Sequence, residues 1–437
     1  MNVKKIWLAM VVLAAATTAA ATTAAASAVN VVDKDNVKLN VGGYLQAIGV
    51  AEHVPDLVRD EDRFYLFLKE ARIRFDGSID KVPFEVMLAT GGEDITPNTN
   101  AALGLLDFNF DVPLGKDYDV KIGQFHVPYG RERLTDDSTM SFGDRSIENL
   151  GFAWNRDYGV ALTTTRDNLT GTFAVMTGGG RDIPQRYLPE KLGTPMFVTR
   201  FGYNDGIDKD VYHVTGRDTA PDRAHKAFYV NALYIKDSSI GHSTVVNVRA
   251  TDKNLLINGN YNPFIGKAPF SLSTIWQAGA DGAYRAPFAG GAINVEGQVD
   301  MSHFDNDYGT LKLTGGRLQL GYSRGDWDLG VRLAALHLDK KMAYVNAGVA
   351  NRIVREGGPL KELTPSITYH LQRNVSIVAD APYLPDMLVF QENGIGSYVM
   401  YEQPDQVTVI KPGTTTGTGR VIRANVQQAR LMVQLSF

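Results

Sequence analysis

The last eight residues constrain the fold more than any other stretch. In Arg430-Leu431-Met432-Val433-Gln434-Leu435-Ser436-Phe437, the odd positions Leu431, Val433, Leu435 and Phe437 are apolar. Arg430, Met432, Gln434 and Ser436 lie between them. Successive side chains of a strand point to opposite faces, so this segment is apolar on one side and mainly polar on the other. The pattern recurs. Ile293, Val295, Val299 and Met301 alternate with Asn294, Glu296, Gln298, Asp300 and Ser302. Leu318, Leu320 and Tyr322 alternate with Arg317, Gln319, Gly321 and Ser323, and Trp327, Leu329, Val331 and Leu333 with Asp328, Gly330 and Arg332. Ala71, Ile73 and Phe75 alternate with Glu70, Arg72, Arg74 and Asp76. Leu363, Ile367, Tyr369 and Leu371 do so with Glu362, Thr364, Ser366, Thr368 and His370. Such a chain is all-β, and either a soluble sandwich or a membrane barrel satisfies the alternation.

The N-terminus separates the two. Lys4 and Lys5 precede an apolar run from Ile6 to Ala16, and Ala26-Ser27-Ala28 offers the small residues of a cleavage site. This reads as a cleaved signal peptide over residues 1–28, with a mature domain over 29–437. The run is too short for a membrane-spanning helix, which needs about 20 residues. No later stretch approaches one, so an exported membrane protein of this sequence spans as a closed barrel, because open sheet edges leave backbone groups unpaired in lipid. Chain-terminal Phe437 resembles the C-terminal signal of bacterial outer-membrane barrels and tips the reading to a transmembrane antiparallel β-barrel. At roughly 25 residues per strand with its connection the mature length fits sixteen strands, and eighteen also fit.

Charges in these segments sit opposite the apolar stripe. In a barrel that face is the lumen, so the interior is wet and the chain is expected to pass solutes. The tight connections Ser323–Asp326 and Ala286–Gly291 read as turns, and the long polar stretches Asn204 to Lys226 and Tyr383 to Gly419 as extracellular loops. With no cysteine in the chain, c-type haem attachment, thiolate zinc and disulfides are excluded. Without Lys4 and Lys5, 42 basic residues face 48 acidic ones, a formal charge of −6 that disfavours nucleic acid as a partner.

The segment Phe64 to Thr165 resembles the phosphate-selective porin O and P family. The resemblance is carried by Glu70-Ala71-Arg72-Ile73-Arg74-Phe75-Asp76-Gly77 and by Val120-Lys121-Ile122-Gly123-Gln124-Phe125-His126-Val127-Pro128-Tyr129. Arg131-Glu132-Arg133-Leu134-Thr135, Phe142-Gly143-Asp144-Arg145-Ser146 and Asn155-Arg156-Asp157-Tyr158-Gly159-Val160 follow in order. It implies a sixteen-stranded barrel in the bacterial outer membrane, often trimeric, narrowed by an inward constriction loop and passing small solutes or ions such as phosphate. On that model Arg131, Arg133 and Arg145 fall on the constriction loop. Arg72, Arg74, Lys121, Arg156, Arg317 and Arg332 are candidate pore-lining residues, with ion pairs to Glu132, Asp136, Asp137 or Asp144 as the competing role.

Other chemistry has little footing. Gly178-Gly179-Gly180-Arg181-Asp182 lacks the spacing and the Lys-Ser/Thr pair of a phosphate loop. Asp305-Asn306-Asp307-Tyr308-Gly309 is not followed by an EF-hand ligand pattern, and the eight histidines show no paired metal spacing. His213, His225, His242 and His370 accompany no nucleophile motif, so neither an enzyme nor a cofactor or metal is expected. Two non-porin alternatives remain: a sheath around a separate multihaem cytochrome, and an adhesive barrel with a blocked lumen.

Overall fold

The computed structural model describes residues 28–34, 36–54, 61–90, 103–152, 154–178, 195–205, 221, 223–238, 273–306, 309–338, 358–372, 374–392, 395–397, 407–409 and 417–437. A short strand β1 (Val29–Lys34) leads into fourteen consecutive barrel strands. These are β2 (Val37–Val54), β3 (Glu61–Ile79), β4 (Val82–Thr90), β5 (Gly104–Pro113), β6 (Tyr118–His126), β7 (Arg156–Arg166) and β8 (Leu169–Met176). They continue as β9 (Met196–Asn204), β10 (His225–Ser238), β11 (Ser273–Phe288), β12 (Gly291–Asn306), β13 (Gly309–Arg324), β14 (Trp327–Leu338) and β15 (Gly358–Gln372). The fifteenth strand is interrupted at Ala381-Pro382, giving β16 (Val375–Asp380) and β17 (Tyr383–Glu392). Short strands β18 (Ile395–Ser397) and β19 (Val407–Val409) precede the sixteenth, β20 (Gly417–Ser436).

Every pairing is antiparallel, and β20 closes the sheet on β2 from Tyr44↔Ser436 to His53↔Gln427. The chain is therefore a closed barrel of sixteen strands; the alternative count of eighteen does not apply. Gly43 and Phe437 exchange backbone hydrogen bonds of 2.8 and 2.9 Å, so the terminal aromatic lies on the seam. β1 continues along β2 beyond it, with Val29 opposite Val41.

The alternation read from sequence sorts the two faces. Leu320, Leu333, Val299, Phe201 and Leu363 are exposed, while Arg317, Arg332, Asp300, Arg200 and Glu362 on the same strands are buried. A soluble protein has the opposite arrangement; an exposed apolar face around a polar interior is the pattern of a membrane-spanning barrel. Aromatics mark its two rims. On β11, Trp276 faces out beside His303, and Phe288 packs edge-on against Tyr322 at the other end. Residues 276 and 288 are separated by about 40 Å of strand, or ~30 Å after a barrel's tilt, which matches the hydrocarbon thickness.

Connections alternate between a short-turn end and a long-loop end. Two-residue turns lie at Ala289-Gly290, with φ of 49° and 76°, and at Gly325-Asp326, where the sequence places them. The left-handed backbone at Ala289-Gly290 suits a primed hairpin turn, whose twist matches the strands. The Asn204 to Lys226 stretch departs from expectation. Leu169 pairs with Tyr203 beside the β7–β8 turn, so β9 ends and β10 begins at the short-turn end, not the extracellular one. Length and polarity suggested a loop outside, but strand parity fixes the side. Tyr383 to Gly419 likewise opens with ten strand residues, Tyr383–Glu392, before its loop. There Pro382 and Pro385 obscured the strand pattern. Residues 1–27, most of the Gly178–Asp182 run, and Asp307-Tyr308 lie outside the described residues.

Candidate functional site: the inner segment and the lumen wall

Between β6 and β7 the chain turns into the barrel instead of crossing directly to the next strand. Residues 127–155 carry two short helices, α1 (Arg131–Leu134) and α2 (Asn149–Phe152), with a 3-10 turn over Asp137–Thr139. Gly130 admits this path: its φ is 72°, and a β-carbon there would lie 2.9 Å from Gln298 Nε2. Asp136 caps the 3-10 turn by accepting a 2.8 Å bond from the Ser138 backbone N–H.

The segment is tied to nine of the sixteen strands. Gln46 on β2 and Gln434 on β20 donate to the Asp137 and Ser138 carbonyls at 3.0 and 2.6 Å. Lys69 on β3 donates to the Gly143 carbonyl at 2.9 Å, and the Gly143 N–H donates to Asp380 on β16 at 2.8 Å. The Ile147 N–H donates to Glu362 on β15 at 2.7 Å. Arg332 on β14 donates to the Asp144 carbonyl at 2.9 Å, and Arg317 on β13 stands 3.6 Å from Glu132. Gln298 on β12 accepts from the Glu132 N–H at 3.1 Å, and Gln277 on β11 accepts from Trp154 Nε1 at 3.1 Å. On its apolar side Ile147, Phe152 and Trp154 join Leu313, Leu336, Leu360, Met176 and Ile235 in one core. Burying backbone groups is tolerable only when they are bonded, and wall side chains meet that requirement here.

Carboxylates balance the arginines within this packing. Glu132 stands 3.4 Å from Arg332 and accepts 2.9 and 2.5 Å bonds from the Ser146 N–H and hydroxyl. Burial alone would raise its pKa, but Arg317, Arg332 and Ser146 hold it below the usual carboxylate value. Asp137, paired with Arg145 and with Arg72 at 3.0 Å, is likewise held low against its burial. Arg332 also binds Glu362 at 2.7 Å, and Arg430 grips Asp380 through two 2.6 Å bonds. Glu148 is the exception: burial first, then neighbouring Asp300, push its pKa well above the usual range. Tyr129 and Gln298 donate to that same Asp300, both at 2.7 Å.

The predicted residues divide into two groups. Arg131 and Arg145 are on the inner segment and buried; Arg131 stands 3.4 Å from Glu296, and Arg145 meets Asp137. Arg72, Arg156, Arg317 and Arg332 are buried wall residues, each paired with carboxylates. Arg133 is half-buried on the inner segment. Arg74 and Lys121 keep 45% and 32% of their side chains exposed and pair with Asp76 at 3.0 Å and Asp111 at 3.3 Å. Sequence reading did not bring Lys69, Asp380 or the Arg200–Asp281 pair into the site, and it saw Glu296, Glu362 and Arg430 only as polar-face residues. The latter share the alternation of Arg317 and Arg332, a signal that was available. Lys69 was not accessible that way, because a bulge opposite Gln46 and Ala47 shifts the register of β3.

Comparison with known proteins agrees with this geometry. Residues 52–186, roughly a third of the chain, match the family model described as phosphate-selective porin O and P. Among solved structures, an anion-selective porin from Comamonas acidovorans aligns with a TM-score of 0.53 at 11% identity, covering 92% of this chain and 100% of that one. The outer-membrane channel DcaP of Acinetobacter baumannii aligns with a TM-score of 0.49 at 11% identity, covering 93% and 99%. No curated protein is similar enough to establish kinship. The motif-bearing stretch from β3 through the inner segment to β7 falls inside the matched residues, so over that stretch the chain is similar to the phosphate-selective porin O and P family.

Proposed function

We propose that this protein is an outer-membrane porin, a water-filled channel for passive diffusion of small solutes or ions, and not an enzyme. One observation carries the reading: a closed sixteen-strand barrel whose polar lumen is crossed by a segment bonded to nine of its strands. A barrel that only anchored something in lipid would not need a polar interior organised around an inward loop. Residues 127–155 act as the constriction, with Arg131, Arg133 and Arg145 on it. Half-buried Arg133, Leu134, Thr135 and Asp136 form, with the wall of β3 to β6, the side that water reaches. Mature chains start at Val29 and assemble as trimers in the outer membrane.

A threaded cytochrome would need the space that the inner segment fills, so nothing observed favours the sheath. The test is to refold residues 29–437 in detergent, insert the protein into a planar bilayer and record current. Stepwise conductance supports the porin. Reproducible insertion without conductance overturns it in favour of a blocked, adhesive barrel. Intact mass of the native protein checks the cleavage site, and light scattering of the detergent complex checks the trimer.

A further inference from the structure

The arginines suggest an anion channel until their partners are counted. Arg72, Arg145, Arg156, Arg317, Arg332 and Arg430 are each at most 5% exposed, and each contacts at least one carboxylate. A cation already neutralised by a carboxylate within 4 Å presents a dipole, not a net charge, to a passing ion. Selectivity must then come from charges that water reaches.

Among the described residues of the luminal face these cluster on β3 to β6, beside exposed Lys38 of β2, which Asp33 balances at 4.0 Å. Arg74 pairs with Asp76, and Lys121 with Asp111, so these four cancel. Glu85 lies directly opposite Asp76 across β3–β4 and opposite Asn109 across β4–β5. It is half-buried and makes no hydrogen bond or ion pair among the described residues. Asp119, two positions from Lys121 on the same face, is exposed. Placing two carboxylates directly opposite each other on neighbouring strands costs stability, a cost that the charges of Lys121, Arg74 and Arg156 offset only in part. On the inner segment, half-buried Arg133 and Asp136 cancel in net charge.

We propose that the half-exposed charges of β3 to β6, and not the buried arginines, set the ion selectivity of this pore, and that they favour cations, with Glu85 tipping the balance. This rests on the channel reading above. Wall carboxylates act on ions passing through water as an acidic ring does in other cation channels.

The experiment is reversal potential across a KCl gradient, in planar bilayers, for the unmodified protein, Glu85→Gln and Arg74→Gln. Heat-modifiable gel mobility confirms that each variant keeps a folded barrel. The expected result is potassium preference, reduced about twofold by Glu85→Gln and increased by Arg74→Gln. Stepwise conductance with chloride preference overturns the proposal while leaving the channel intact. Potassium preference indifferent to both substitutions also overturns it. Insertion without any conductance defeats the channel reading itself, and this proposal with it.

Discussion

Two arcs of the same barrel wall use charge in opposite ways. Along β12 to β16 and onto β20, Glu296, Arg317, Arg332, Glu362, Asp380 and Arg430 are nearly inaccessible and spend their hydrogen bonds on each other and on the inner segment. On β3 to β6, Arg74, Asp76, Lys121 and Asp111 make similar pairs at similar distances, but with roughly a third to a half of the side chain in water. The chemistry is the same and the dielectric is not. Buried pairs strand a charge when one member is lost, whereas exposed pairs contribute almost nothing to stability and act on what passes. The first arc fastens the inner segment, and the second is open to water.

The sharpest way to break that comparison is Arg332→Ala. It leaves Glu362 and Glu132 without their closest guanidinium, and removing one partner of a buried pair costs about 3–5 kcal/mol. The inner segment should come loose while the barrel stays closed. Limited trypsin digestion should then cut at Arg131, Arg133 or Arg145, sites whose burial should protect them in the unmodified protein. If Arg74→Ala exposed the same sites, the two arcs would not differ as argued.

How far the sequence foretold this division follows from the physics of each arc. Alternation exposed the lipid and lumen faces because it depends only on local geometry, so Arg317 and Arg332 were placed on the lumen side from their neighbours alone. It could not tell that Arg332 ends beside Glu132, two hundred positions away, whereas Arg74 ends beside Asp76 on its own strand. That depends on where the inner segment lies, which is a tertiary fact. The same limit explains the misplaced connection after Asn204: composition reports polarity, but the side of the membrane follows from counting strands without error.

Tyr129→Phe probes the anchor more gently. It removes a buried 2.7 Å bond to Asp300, and a hydrogen bond to a charged group contributes about 1.5–3 kcal/mol. The expected outcome is a lower temperature for loss of the compact form on unheated-to-heated gels, with trypsin resistance only partly reduced. An unchanged transition would mean that the apolar packing of Ile147, Phe152 and Trp154 alone holds the segment.

Acidity should act on the anchoring arc from both sides. Glu132 and Asp137 are held low, so their contribution is present above the ordinary carboxyl pKa and is lost as pH falls through their depressed values. Glu148 is held high, so its contribution is complete below the ordinary carboxyl pKa and is lost as pH rises toward its elevated value. Trypsin is replaced here by a protease active across the range, and cutting within 127–155 should be slowest between the two limits. Glu148→Gln should remove the alkaline rise and leave the acidic one. A rise on neither side would show that these carboxyls are not what holds the segment.

The smallest effect is expected where the charges are most visible in sequence. Arg74→Ala breaks a pair whose members are 45% and 32% exposed, and pairs of that kind contribute about 0–1 kcal/mol, less in salt. Gel stability and protease resistance should match the unmodified protein within error. Conductance should be retained, and only the reversal potential should move, by an amount that shrinks as KCl is raised. A stability loss comparable to Arg332→Ala would put Arg74 in the anchor. A reversal potential that moves equally at low and high salt would mean that Arg74 acts by shaping the passage and not by its charge.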